Sequence, residues 1–187
     1  ILLSEMEHNS NLVPWQLLAQ EVGADLEFMS VDDRGLLNLD DIKKQAKGRV
    51  KLVAVTHVSN MLGTINPVKS IAEFVHENDA LILVDAAQSV PNLPVDVQEI
   101  NCDFMVFSGH KMLAPNGTGV LYAKAKILEE MNPFLGGGNM IREVTLRESK
   151  WNVIPWKFEA GTQAIAEGIA LGAAIEYLEE VGMEAIK

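Results

Sequence analysis

Three short runs of the sequence are apolar almost without interruption and end in polar residues. They are LVAVTH at 52–57, ALILV at 80–84 with Asp85 next, and DFMVF at 103–107 with Ser108, Gly109, His110 and Lys111 next. A strand with one face in water alternates apolar and polar side chains. A strand that is apolar at successive positions must be covered on both faces. Helix-like segments lie between and around these runs at 12–22, 40–46, 67–78 and 164–181, and further strand-like segments at 1–5, 24–31 and 119–122. Asn66 and Pro67 read as the cap and first position of the helix over 67–78, and 164–181 reads as amphipathic. The alternation predicts an α/β fold: a mostly parallel sheet with helices on both faces.

Composition bounds what such a sheet can do. With 187 residues and 48% hydrophobic content the chain can bury a substantial core, and one domain is the expectation. The formal charge is −11, from 26 acidic and 15 basic residues, and no dense Lys/Arg cluster occurs. That argues against nucleic acid as a partner, which requires a basic face, and favours solubility. Cys102 is the sole cysteine, so no internal disulfide can form, and a reducing, cytoplasmic location is expected. No apolar run approaches the roughly 18 residues of a membrane helix. His8, His57, His76 and His110 show no zinc-motif spacing, so no metal site is expected. The first residue is Ile1, in a strand-like run, which suggests a piece of a longer polypeptide. Residues 133–142, with three consecutive glycines, read as a mobile loop. Neither that run nor Gly117-Thr118-Gly119 has the strand–loop–helix setting of a dinucleotide fingerprint.

In open α/β sheets, ligands gather at the carboxyl ends of the strands. Asp85 and Lys111 both fall there. A carboxylate at the end of a buried strand is costly without a cationic partner, although a turn or cap aspartate is an equal reading of Asp85 alone. A partly desolvated lysine can act as an amine nucleophile, although most lysines are simply solvated. Together they match the needs of pyridoxal phosphate, which takes a lysine for its Schiff base and an acid for its pyridinium nitrogen. Ser108, Gly109 and Thr162 offer hydroxyls and N–H groups for a phosphate.

Six motifs occur in order: EMEHNSNLVPW (5–15), THVSNMLGTINP (56–67), VDAAQSVPNLPVDV (84–97), CDFMVFSGHKMLAPNGTGVLY (102–122), GGGNMIREV (136–144) and KFEAGTQ (157–163). Together they resemble the Suf-type (group II, NifS-like) pyridoxal-phosphate-dependent cysteine desulfurases, with the fold type I architecture of aspartate aminotransferase. The resemblance implies that Lys111 holds the cofactor and moves protons at the substrate carbon, with Asp85 at the pyridinium nitrogen. It implies Gln88 and Asn60 at the phenolic oxygen, His8 stacked on the ring, and Ser108 and His110 at the phosphate. Thr162 would reach the phosphate of a neighbouring subunit, which implies a homodimer. The implied reaction converts L-cysteine to L-alanine and an enzyme persulfide, whose sulfur passes to an acceptor or iron–sulfur scaffold.

Each residue also has a plain reading. His8 suits a loop before a helix, Gln88 and Asn60 suit caps or turns, and His57 and His76 match no chemical role. Cys102 invites the role of sulfur carrier, but it leads into a buried strand, where cysteines are inert fillers. The family's nucleophilic cysteine and substrate-binding arginine lie further towards the C-terminus. Residues 1–187 therefore correspond to an incomplete large domain, without an early segment and the C-terminal small domain. Selenocysteine lyases and kynureninase-like or epimerase-like enzymes would share the same cofactor residues, and a non-catalytic α/β module is the contrasting reading.

Overall fold

The structure, a computed structural model, describes residues 1–45 and 49–187. Six strands form the main sheet: β1 Leu2–Ser4, β2 Glu27–Met29, β3 Leu52–Thr56, β4 Leu81–Asp85, β5 Phe104–Ser108 and β6 Gly119–Ala123. Their order is β2-β1-β3-β4-β5-β6. The first five are parallel and β6 runs antiparallel to β5. The expected mostly parallel α/β sheet is present. Its centre is dry because β3 and β4 pair Val53 with Ile82 and Val55 with Val84, and all four side chains are fully buried.

Helix α1 spans Val13–Val22, with Pro14 tolerated in its first turn and Gly23 ending it in the left-handed region at φ 68°. The segment expected at 40–46 forms α2, Leu39–Gln45; Ala46 lies outside the described residues. Helix α3, Val68–Glu77, buries Val68, Ile71, Ala72 and Val75, the i, i+3, i+4, i+7 stripe of a core-facing helix. Burying each of its larger apolar side chains contributes about 1.5–3 kcal/mol of transfer free energy. Asn66 does not cap this helix. Its side-chain amide instead donates to the Thr56 carbonyl at 2.8 Å, and Pro67 occupies the cap position without a side-chain bond. Asn66 is buried, and a buried amide bonds to the strand end it packs against rather than to a solvent-facing helix start.

The short helices α4 Val97–Ile100 and α5 Ala125–Glu130 follow β4 and β6. Helix α6, Ile165–Val181, is not amphipathic. Apolar residues lie all round it, Ala174 and Leu178 are buried, and Ile165, Ile169 and Tyr177 are exposed. A last turn, α7, covers Met183–Ile186. The expected loop at 133–142 gives way to a strand at Ile141, where β7 Ile141–Val144 pairs with β8 Ser149–Trp151. The triple glycine is pinned rather than loose: Gly161 N–H donates to Gly138 C=O at 3.0 Å, and Met140 is fully buried beside it.

The amino end of the central strands is locked by one carboxylate. Asp103 accepts from Ile82 N–H, His76 Nε2 and Lys124 Nζ, each at 2.8 Å. Burial alone would push its carboxyl up. The bonds from Lys124, His76 and Ile82 N–H overcome that and hold it below the ordinary carboxylate range. Among the described residues no helix is long and apolar enough to cross a membrane.

Candidate active site

The parallel strands bring their carboxyl ends to one edge of the sheet, where β4 ends in Asp85 and β5 in Ser108. At that edge lies a cavity of about 520 Å³ lined by His8, Asp85, Ser108, His110 and Lys111, together with Asn11, Ala87 and Phe107. Five of the eight residues singled out in the sequence thus share one cavity. Asn60 and Gln88 line a different one of about 360 Å³ with Ser59 and Asn92. Thr162 is exposed in the loop before α6.

Asp85 is 8% exposed. Its Oδ1 accepts the Ala87 N–H at 2.9 Å, so it does serve as a turn aspartate. Among the described residues it has no cation within ion-pair distance, unlike Asp103. A buried carboxylate held by a single neutral donor is poised for a cation.

Lys111 is delivered by a 3-10 turn, Gly109–Met112, that follows β5 directly. The turn folds back because Gly109 N–H donates to Thr118 C=O at 3.0 Å. A Cβ at Gly109 would overlap the Thr118 hydroxyl, so only glycine lets the two segments approach this closely. Lys111 is partly buried and forms no ion pair among the described residues. Among the described residues the buried Thr118 hydroxyl has no hydrogen-bond partner.

His8 caps a second 3-10 turn, Asn9–Asn11: its Nδ1 accepts the Ser10 N–H at 3.1 Å. A ring nitrogen that accepts from an amide carries no proton, so the neutral ring has its proton on Nε2. His8 therefore serves both as a cap and as a wall of the cavity. His57 stays partly buried at the end of β3, its Nδ1 unpartnered, and burial pulls its pKa down.

Cys102 is fully buried at the opposite end of β5, roughly 20 Å from Ser108 at ~3.3 Å per strand residue. Burial pushes its thiol up to about 11, so it is no nucleophile at neutral pH.

The whole chain, residues 1–187, matches the aminotransferase class-V family. The chain belongs to that family. Curated relatives include a cysteine desulfurase of Haloferax volcanii, 50% identical over the whole chain and 44% of the relative. A probable cysteine desulfurase of Synechocystis is 52% identical over 186 residues and 44% of its length. Among solved structures, the cysteine desulfurase CsdA of Escherichia coli superposes with a TM-score of 0.96 at 37% identity, covering 98% of this chain and 46% of that one. A C-DES variant with glycine covalently linked to its PLP cofactor gives a TM-score of 0.84 at 26% identity, covering 97% of this chain and 49% of that one. The class-V chain thus spans less than half the length of these relatives.

Two contributors to this class-V site escape sequence reasoning. Ala87 lines the cavity but looks like filler in VDAAQ. Glu7 looks like a loop acid, yet it is tied into the strand ends behind His8 by Ser4, Asn11 and the Thr56 N–H. Nothing in the run around Glu7 marks it as half-buried rather than solvated.

Proposed function

We propose that residues 1–187 are the cofactor-binding part of a larger pyridoxal-phosphate-dependent cysteine desulfurase of the Suf type. The enzyme converts L-cysteine to L-alanine and passes the sulfur on as an enzyme persulfide for iron–sulfur cluster assembly. One observation carries the cofactor. Among the described residues, a buried carboxylate without a cation, Asp85, and an amine without an anion, Lys111, line one cavity at the carboxyl edge of the sheet. The donor set fits the group. Asp85 suits a protonated ring nitrogen and Lys111 an aldehyde. Ser108 and His110 suit a phosphate beside a turn so tight that Gly109 admits no Cβ. The names of relatives about 50% identical support the substrate.

When bound, pyridoxal phosphate supplies an electron-accepting ring that stabilises charge at the substrate α-carbon. Asp85 would face the ring nitrogen and favour its protonated form. Lys111 would hold the cofactor through Nζ, and its amine would take and return the proton at the substrate α-carbon. His8 would stand against the ring. Gln88 and Asn60 take the phenolic oxygen in this proposal, although they line a separate cavity here. Thr162, exposed, is free to reach a second subunit of a homodimer. Buried Cys102 cannot take up the sulfur, so the thiol that does so lies outside residues 1–187. A lone, unpaired cysteine suits a cytoplasmic enzyme.

The test uses the full-length protein loaded with pyridoxal phosphate. Borohydride reduction and peptide mapping should place the label on Lys111, and L-cysteine should yield alanine stoichiometric with released sulfur. A label elsewhere sinks the cofactor assignment. A label on Lys111 without alanine assigns the chain to another class-V activity, and preference for L-selenocysteine makes it a selenocysteine lyase.

A further inference from the structure

Beyond these residues, one half-buried acid, Glu7, is built into the site without lining the cavity. Strand β1 pairs with β3 only through Leu2–Val53 and Leu3–Ala54. It then follows β2, with Glu5 N–H donating to Met29 C=O at 3.1 Å. The sheet forks there, and the Thr56 N–H at the end of β3 is left without a strand partner on that side. Glu7 closes the fork. Its Oε1 accepts the Thr56 N–H at 2.9 Å and also the Ser4 hydroxyl. Its Oε2 accepts Asn11 Nδ2 at 2.6 Å, and Asn11 Oδ1 in turn accepts Trp15 Nε1 at 3.0 Å. One carboxylate thus joins β1, β3 and the turn capped by His8.

We propose that Glu7 is a positioning residue: it fixes the His8 turn against the strand ends, and its charge acts on the cation that Asp85 holds. This rests on the pyridoxal phosphate reading. The titratable groups on the elements around Glu7 are Glu5 after β1, which accepts the Val31 N–H, His8 on the turn, His57 just after β3 and Asp85 at the end of β4, with His110 and Lys111 on the cavity that Asp85 lines. No cation pairs with Glu7 among the described residues. Burial pushes its carboxyl up to about 7, against the bonds from Ser4, Thr56 N–H and Asn11, and repulsion from Asp85 adds to the rise. The tie survives protonation, because a protonated Glu7 can donate to the Ser4 oxygen while still accepting from Thr56 N–H. What changes near neutrality is the charge. Glu7 holds the N–H of Thr56, the residue paired with Asp85 in the β3–β4 register, so when ionised it is a second anion beside Asp85 and strengthens the hold on a protonated ring nitrogen; protonated, it does not.

The experiment follows the absorbance of the cofactor in the full-length, pyridoxal-phosphate-loaded protein as a function of pH. The wild type should show an inflection below the value of about 7 that Glu7 has in the empty site, because a cation held by Asp85 favours the ionised carboxylate. In Glu7→Gln that inflection should vanish with the cofactor still linked to Lys111. In Ser4→Ala it should move to higher pH, because the lost hydroxyl bond favoured the ionised form. A role confined to packing would leave the inflection where it is. An inflection unchanged in Glu7→Gln overturns the proposal. If that variant does not fold, Ser4→Ala decides: an upward shift supports the proposal and an unmoved inflection overturns it. Failure of the wild type to develop any cofactor absorbance would instead strike the cofactor reading itself.

Discussion

Asp85 and Asp103 are both buried, at 8% and 3% exposure, at opposite ends of the same strands, and their Asn substitutions should behave in opposite ways. Asp103 is satisfied by the Lys124 ammonium, the His76 ring and a backbone N–H. In Asp103→Asn the amide oxygen keeps the Ile82 N–H, but the amide nitrogen faces the Lys124 ammonium, donor against donor. Losing charged hydrogen bonds of this kind costs about 1.5–3 kcal/mol. At about 2–4 °C per kcal/mol for a domain of this size, melting should fall by roughly 3–12 °C. The pH dependence has a definite sign. The folded Asp103 carboxyl lies below its ordinary value. Its contribution is therefore complete above the ordinary carboxylate range and fades as pH falls through the folded value. The penalty of Asp103→Asn should be full at neutral pH and disappear in strong acid. Asp85 has no cation among the described residues, so Asp85→Asn removes a carboxylate without an ion-pair partner while keeping the Ala87 bond. Cofactor-free protein should be unchanged or more stable by up to about 1 kcal/mol, while turnover collapses. The assay is denaturant and thermal unfolding of full-length protein without cofactor, followed by alanine formation after loading. The reasoning is refuted if Asp85→Asn destabilises the cofactor-free protein as much as Asp103→Asn does. It is equally refuted if Asp103→Asn abolishes turnover without loss of stability.

Gly109→Ala should weaken pyridoxal phosphate binding about 10- to 100-fold, about 1.4–2.8 kcal/mol, because its Cβ meets the Thr118 hydroxyl; equilibrium dialysis measures this, and unchanged affinity would contradict it. Cys102→Ser should leave alanine formation intact and lower stability by about 1–3 kcal/mol, since its hydroxyl enters an apolar site; loss of persulfide formation in the folded variant would show that Cys102 carries sulfur after all. Native protein at pH 8 should resist alkylation at Cys102, whose thiol is buried and raised to about 11, and peptide mapping would reveal any modification there.

The sequence makes the central strands legible because β3, β4 and β5 are covered on both faces, which forces apolar residues at successive positions. The same runs fix where Asp85 and Lys111 emerge, and so most of the cavity. The peripheral elements are less legible for physical reasons. Strands β7 and β8 are largely exposed and pair only with each other, so burial imposes no alternation on them. Helix α6 shows no polar face in the structure, and its apolar residues mimic a core-facing pattern. Asn66 has the composition of a cap and the position of a cap, yet burial redirects its amide to Thr56. Asn60 and Gln88 show a different limit. A sequence places each near a strand end, but side-chain direction decides which cavity it enters.

Glu7 also explains why the cavity lies where it does. Chain connectivity reverses between β1 and β3: from β1 the sheet grows one way to β2 and the other way through β3 to β5. That gap is where an open α/β sheet ordinarily leaves a crevice for ligand. Here the crevice is filled from within the chain, since the Glu7 carboxylate takes the Thr56 N–H that a ligand would otherwise meet. The open space is displaced along the edge to the ends of β4 and β5, where Asp85 and the Lys111 turn face it and His8 closes one side. The two acids divide the work by their surroundings. Glu7 is ringed by donors and acts through the strand ends it joins, whereas Asp85, with one neutral donor and no cation among the described residues, is left to receive one.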